Sequence, residues 1–219
     1  MRLFLRISDL SLLAPLASPA PASLALAAIR RALSSLRPEA PVWPPSTPSA
    51  AVSLVLAGQP DNLTLAMILR AVREGDPWSG QMALPGGRAE PGDSDPESVA
   101  ERETLEEIGV SVRREQLIAP LLPQPVQRGG VDIGLQLFPF VYYAGAAFPE
   151  FRTNLEVSGA FWVPLRDLAD PGRQRRYRFE RSGQAYDFPA ISFQERVIWG
   201  VTYRVLTEFF RNLAIELPM

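Results

Sequence analysis

Residues 95–109, DPESVAERETLEEIG, constrain the fold of this chain more than any other stretch. Asp95 before Pro96 is a helix start, with Asp as N-cap and proline at the first helical position, where its missing N–H is no loss. Gly109 is a natural terminator, since glycine takes up the left-handed C′ conformation without strain. Between them Glu103, Glu106 and Glu107 stand at i, i+3 and i+4, so a helix puts all three on one face across about 100°. Like charges at these spacings repel by roughly a few tenths of a kcal/mol per pair. Two of them also lie near the negative end of the helix dipole. Val99 and Ala100 fall on the same side as Glu103, while Leu105 and Ile108 are predicted to form a separate core stripe. A solvated acidic face is one reading of this helix, and the floor of a cation-holding cleft is the other.

Missing residue types narrow the chemistry. The 219 residues include no histidine and no cysteine. Ser-His-Asp and Cys-His catalysis are thereby excluded, as are disulfides and imidazole or thiolate metal sites. A metal in this chain must be held by oxygens, which selects a hard cation such as Mg²⁺ or Mn²⁺. The net charge of −2 gives no global pull toward nucleic acid or an anionic membrane.

The N-terminal stretch MRLFLRISDLSLLAPLASPAPA has two arginines, apolar residues and small residues in the order of a secretory signal, but Asp9 cuts the apolar part short. A cytoplasmic chain is expected, and no segment reaches the roughly 20 apolar residues of a membrane span. Residues 1–7 read as a short strand or lead-in. Residues 23–36 read as an amphipathic helix capped by Ser23, with Leu26, Ile29, Leu33 and Leu36 on one stripe. Residues 38–50 are proline-rich and read as a surface linker. The expected organisation is therefore a helical extension and linker over 1–50 and a globular domain over 51–219.

Within that domain, runs at 51–57 and 63–72 flank the turn-rich GQPDN and predict an antiparallel hairpin. The Pro-Gly-Gly at 85–87 predicts a turn, and apolar strands are expected at 116–122, 132–143 and 158–164. A second hairpin is expected over 177–191, turning at Ser182-Gly183. Residues 195–217 predict a long final helix with Ile198, Val201, Val205 and Phe209 on its core stripe. Many strands with separated helices indicate an α+β fold, an α/β/α sandwich rather than a regular parallel sheet.

The loop before the carboxylate helix favours the cation reading. Gly86 and Gly87 allow close backbone approach, and Glu90 and Asp93 add two acids. The whole segment GGRAEPGDSDPESVAERETLEEIGV, residues 86–110, resembles the Nudix box, G-x5-E-x7-R-E-U-x-E-E-x-G-U with U aliphatic. Gly87, Arg102, Glu103, Glu106, Glu107, Gly109 and Val110 match it. Asp93 stands where the first Glu belongs, Thr104 replaces an aliphatic residue, and one extra residue lies between Asp93 and Arg102. That insertion precedes the helix and leaves the i, i+3, i+4 carboxylates intact. The Asp and the longer loop resemble the coenzyme A pyrophosphatase branch, as does VIWGVTYRVL at 197–206. The upstream stretch LRAVREGDPWSGQMALPGG, 69–87, is similar to that branch's second motif, with Leu84 in place of its Phe and a different Arg-to-Gly80 spacing.

The resemblance extends over about residues 50–212. It implies a Nudix-type α/β/α sandwich with a mixed β-sheet, and hydrolysis of a diphosphate linked to a nucleoside. Cations are the direct way to stabilise the charge such a cleavage develops. It further implies Glu103 and Glu107 as principal ligands of Mg²⁺ or Mn²⁺, Glu106 as a further ligand or base, and the Gly86 carbonyl in the shell. Arg102 is expected to pair with Asp93 or Glu90.

Outside the box, Glu156 in TNLEVSGAFWVPL is a candidate additional catalytic acid, against the plainer reading of a solvated acid at a strand entry. Arg70, Arg73 and Arg88 are candidate phosphate binders or ordinary surface arginines. Trp78 and Tyr203 suit base stacking or core packing, and RQRRYR at 173–178 suits a 3′-phosphate contact or an exposed hairpin entrance. The implied partner is a small nucleotide substrate, with no nucleic acid and no membrane; a homodimer is compatible with the sequence. The implied activity is cleavage of coenzyme A or a derivative. Alternatives are a Nudix hydrolase of ADP-sugars, dinucleotides or damaged nucleotides, and a Nudix-fold binding module without catalysis.

Overall fold

Side chains alternate strictly between two apolar layers along the central strands, and this decides the architecture. The computed structural model describes residues 23–36, 38, 42–43, 45, 47–75, 78–128, 131–181 and 184–218. The expected lead-in at 1–7 and the Ser182-Gly183 turn lie outside them. The elements in chain order are α1 (Leu26–Leu33), β1 (Ser49–Gln59), β2 (Asn62–Arg70), β3 (Met82–Ala83), β4 (Gly86–Arg88), α2 (Pro96–Ile108), β5 (Leu117–Pro120), β6 (Gln124–Arg128), β7 (Val131–Tyr143), β8 (Val157–Pro164), α3 (Leu165–Ala169), β9 (Gln174–Arg181), β10 (Gln184–Phe193), β11 (Arg196–Trp199) and α4 (Gly200–Asn212).

β1 and β2 form the expected hairpin, in register from Gln59↔Asn62 to Leu56↔Leu65. β1 is also parallel to β7, while every other pairing in its eight-stranded sheet is antiparallel, so the sheet is mixed. Leu54 and Leu56 of β1, Leu65 and Met67 of β2, and Leu137 and Val141 of β7 enter one apolar layer, together with Leu165 and Leu168 of α3 and Val205, Phe209 and Phe210 of α4. Ala51 and Val55, Ala66 and Ile68, and Phe140 and Tyr142 point the other way, under Val99, Ala100 and Ile108 of α2. The result is an α/β/α sandwich. Among the described residues no helix is long and apolar enough to cross a membrane.

Ile29 and Leu33 of α1 are fully buried in the first layer, and the Leu26 amide donates to the Pro60 carbonyl. The N-cap of α1 is Ala25 rather than Ser23, with no side-chain cap; the Ser23 hydroxyl accepts from the Ala25 amide. The expected helix over 195–217 is shorter. Residues 196–199 form β11 against β10, and the chain enters α4 only at Gly200, which adopts φ 65°. Val197-Ile198-Trp199 is a β-branched and aromatic run that pairs well in a sheet. With β9 and β10 it completes a separate three-stranded sheet, β11-β10-β9. The Pro-Gly-Gly expected as a turn is also different, since Gly86 to Arg88 pair with Val52 to Ala50 of β1.

Candidate active site

α2 is framed as its sequence demands. Asp95 accepts from the Ser98 amide at 2.7 Å and its own amide donates to the Ser98 hydroxyl at 3.2 Å, a reciprocal capping box. Gly109 closes the helix at φ 70°, its amide donating to the Leu105 carbonyl. Leu105, expected in the core, is instead 52% exposed, whereas Thr104 is fully buried. The face against the sheet runs through Pro96, Val99, Ala100, Thr104, Glu107 and Ile108, and Leu105 lies one 100° step off it. A threonine is tolerated there because Ser53 of β1 faces it. Their hydroxyls are 2.7 Å apart and lie 2.6 and 3.2 Å from the Ala100 carbonyl, so both are satisfied where water is excluded.

The two glycines of β4 create the space for the carboxylates. A Cβ on Gly86, whose φ is 151°, would overlap the Ala51 carbonyl and Val52. A Cβ on Gly87 would overlap the Glu103 carboxylate itself. With neither present, β4 lies close against α2, and the Gly86 amide donates to Glu107 Oε2 at 2.8 Å.

Arg102 organises the remaining acids. Its Nε and Nη2 donate to Asp93 Oδ1 and Oδ2, its Nη2 also to the Arg88 carbonyl, and its Nη1 to Glu103 Oε1 at 3.0 Å and Glu106 Oε2 at 3.2 Å. The expected pairing of Arg102 with Asp93 is what the structure contains. Glu106 is drawn outward by it, with its side chain about half exposed.

Burial sets the charge states. Glu107 is 2% exposed, and its carboxyl is pushed up to about 7, chiefly by desolvation. The Gly86 amide and Arg70 pull it back, and Glu103 and Glu156 push it further up. Burial also raises Glu103, against the opposing pull of Arg102. Desolvation acts upward on Asp93 as well, but hydrogen bonds from Arg102 and the Glu90 amide outweigh it and hold that carboxyl below its ordinary value.

These groups open onto a cleft of about 960 Å³. Gly86, Gly87, Glu103, Glu107, Arg70, Arg88 and Glu156 all line it, so β2, β4, the residue leading into β8 and α2 converge there. Glu106 and Arg73 are not among its lining residues. Arg73 instead donates to Glu156 at 2.9 Å, both side chains being about half exposed. The small sheet contributes aromatic lining: the ring centroids of Phe179 and Phe188 lie 5.0 and 5.4 Å from that of Trp199, and Trp78 lines the same cleft. Tyr203 borders the cleft but is 2% exposed, its hydroxyl within hydrogen-bonding reach of both Gln174 Oε1 and the Pro218 carbonyl, which fits the core-packing reading. The arginines of 173–178 do not line the cleft; Arg173 pairs with Asp167 at 2.9 Å.

Residues 47–182 match the family model described as the NUDIX domain. The chain belongs to the Nudix family. An uncharacterized protein of Schizosaccharomyces pombe is 33% identical over 145 residues, 65% of this chain and 41% of that protein. An uncharacterized Nudix hydrolase of Yersinia pestis is 26% identical over 137 residues, 63% of this chain and 66% of that one. This chain thus spans between two-fifths and two-thirds of the length of these relatives. Among solved structures, a MutT/nudix family protein from Enterococcus faecalis superposes with a TM-score of 0.55 at 18% identity, covering 80% of this chain and 65% of that one. That likeness concerns the Nudix fold alone.

The donor set of this Nudix chain fits a hard divalent cation. Among the described residues no three acids converge as a closed cage, because Glu106 is held by Arg102 and Glu156 by Arg73. One buried carboxylate, Glu107, and one half-buried, Glu103, remain at the cleft and repel each other. Mg²⁺ is usually bound this way, through one or two carboxylates with water and substrate phosphates completing the shell. Sequence reasoning did not find Ser53 or Trp43, which brace the site from outside the box. Ser53 left a detectable signal, the lone polar residue of the apolar run 51–57, matching Thr104, the one polar residue at an aliphatic position of the helix.

Proposed function

We propose that this chain is a divalent-metal-dependent Nudix hydrolase that cleaves the diphosphate of a nucleotide carrying a large second group, with coenzyme A or a derivative as substrate. The observation that carries the reading is the convergence of Glu103, Glu107, Arg70 and Arg88 on one cleft that the aromatic rings of Phe179, Phe188 and Trp199 also line. A bound Mg²⁺ or Mn²⁺ supplies charge stabilisation on the diphosphate oxygens and lowers the pKa of water.

Everything else falls to the chain. Glu103 and Glu107 hold the cation, and Gly86 and Gly87 keep the strand out of its way. Arg70 and Arg88 border the space where phosphate oxygens would lie, and guanidinium forks suit them. Glu156 faces the same space, is not required to hold the cation, and takes the proton from the attacking water. Its backbone is fixed for this, the Glu156 carbonyl accepting from the Ala71 amide and its amide donating to Asn154. Glu106 restrains Arg102 at the rim.

Two features support the coenzyme A assignment. The cleft is far larger than a diphosphate, with room for both the nucleotide and a long apolar arm. Trp199, Gly200 and Val201 of the VIWGV motif, one of the segments resembling the coenzyme A branch, line it. The test is hydrolysis by the purified chain with Mg²⁺ or Mn²⁺ of coenzyme A, ADP-ribose, diadenosine polyphosphates and 8-oxo-dGTP in parallel. Release of adenosine 3′,5′-bisphosphate and a phosphopantetheine product is expected. Preference for another member of the panel would refute the substrate, and no turnover of any by a metal-binding chain would indicate a binding module.

A further inference from the structure

Outside the box, and upstream of the segment matched to the family, Trp43 reaches into the loop that carries Asp93. Its indole Nε1–H donates to the Asp93 carbonyl at 2.7 Å across 50 residues of sequence. The ring is half-buried and packs on the apolar layer between α2 and the sheet. Asp93 is the residue whose carboxylate grips Arg102, and Arg102 in turn holds Glu103 and Glu106. A continuous chain of hydrogen bonds therefore runs from the proline-rich segment to the carboxylates of α2.

The loop needs such a tie. It is exposed at Glu90, Pro91 and Gly92, and its internal bonds are local, linking Glu90 to Gly92 and Asp93. It is anchored at its start by the Ala89 amide on the Ser49 carbonyl, and at its end by the Asp95 capping box. Between these anchors, Trp43 and Arg102 are its long-range partners among the described residues. It is also one residue longer than the family pattern, and each added residue leaves more conformations to suppress. The Arg102 grip alone fixes the Asp93 side chain; the Trp43 bond fixes its backbone.

We infer that Trp43 is a positioning residue for the metal-binding carboxylates, acting through Asp93 and Arg102. The inference rests on the functional reading above. Trp43→Phe keeps an apolar ring and removes only the N–H donor, whose bond is of ordinary strength. In the full chain, without substrate, calorimetric Mn²⁺ titration should then show affinity weakened about three- to tenfold, with the thermal midpoint close to wild type. In an Arg102→Lys background the same substitution should cause no further loss, because the route to Glu103 is already cut. Wild-type Mn²⁺ affinity in Trp43→Phe would overturn the inference and leave the functional reading standing. An outright unfolded Trp43→Phe would also overturn it, since ring packing would then be what the position supplies. A wild-type chain that takes up no Mn²⁺ would overturn both.

Discussion

Arg102 holds Asp93 through two parallel hydrogen bonds, Nε to Oδ1 at 3.0 Å and Nη2 to Oδ2 at 3.1 Å, and spends its third nitrogen on Glu103 and Glu106. A bidentate guanidinium fixes geometry as well as charge. Asp93→Asn breaks the charge pair while keeping the side chain's shape. The Asp93 side chain is 5% exposed and that of Arg102 24%, so the loss is smaller than for a fully buried pair: about 2 kcal/mol, read by denaturant unfolding. Mn²⁺ affinity should fall with it, because Glu103 loses its fixed donor.

Gly86 and Gly87 are adjacent but should fail differently. At Gly86 a new Cβ meets backbone, the Ala51 carbonyl and Val52, at a positive φ, so Gly86→Ala should destabilise the chain by several kcal/mol, on the order of 3 or more. At Gly87 the three atoms it meets first all belong to the end of the Glu103 side chain, which is flexible and can rotate away. Gly87→Ala should therefore unfold near the wild-type midpoint yet lose Mn²⁺ binding by roughly tenfold or more. Thermal scans and metal titrations on the two variants separate these outcomes.

Burial pushes the Glu107 carboxyl up to about 7 in the folded chain, against an ordinary 4.5. A raised carboxyl binds a proton on folding, so its contribution is complete below about pH 4.5 and is lost as pH rises through 7. The metal-free wild type should accordingly lose about 2–3 kcal/mol relative to Glu107→Gln between pH 4.5 and 8, measured by chemical denaturation of both proteins across that range. Mn²⁺ should bind more weakly as pH falls through 7, because cation and proton compete for the same oxygens.

Ser53 and Thr104 should behave as a unit. Thr104→Val removes one hydroxyl of a buried pair and should cost about 1 kcal/mol. Adding Ser53→Ala removes the other polar group, so the double variant should be more stable than the sum of the singles implies. Additive losses in unfolding free energy would show that the two hydroxyls do not depend on one another.

How far the site could be read from sequence follows from what kind of interaction made each part. α2 was legible to the residue because its ends are local chemistry, Asp95-Pro96 at one and Gly109 at the other. β1 and β2 were legible because apolar runs flank a turn-rich five-residue stretch. The start of α4 was misplaced because Ile198 suits a helical stripe as well as a strand, and only pairing with Ile191 of β10 decides for the strand. Hydrophobicity favours Leu105 for the core, whereas the buried position belongs to Thr104, whose partner lies 51 residues away in β1. The spacing puts the three glutamates within one arc of the helix, but it does not separate buried Glu107 from exposed Glu106. That Arg102 turns Glu106 to the rim, leaving Glu103 and Glu107 at the cleft, depends on the path of the preceding loop. The Trp43 bond to Asp93 has no local signature at all.

In the proposed function Glu103 and Glu107 together hold a divalent cation against the substrate diphosphate. Mn²⁺ titration followed by electron paramagnetic resonance, on wild type and Glu107→Gln at pH 8, tests it most directly. Wild type should remove Mn²⁺ from solution, and Glu107→Gln should lose that uptake by roughly a hundredfold or more while remaining folded. Equal Mn²⁺ binding by the two proteins would contradict it.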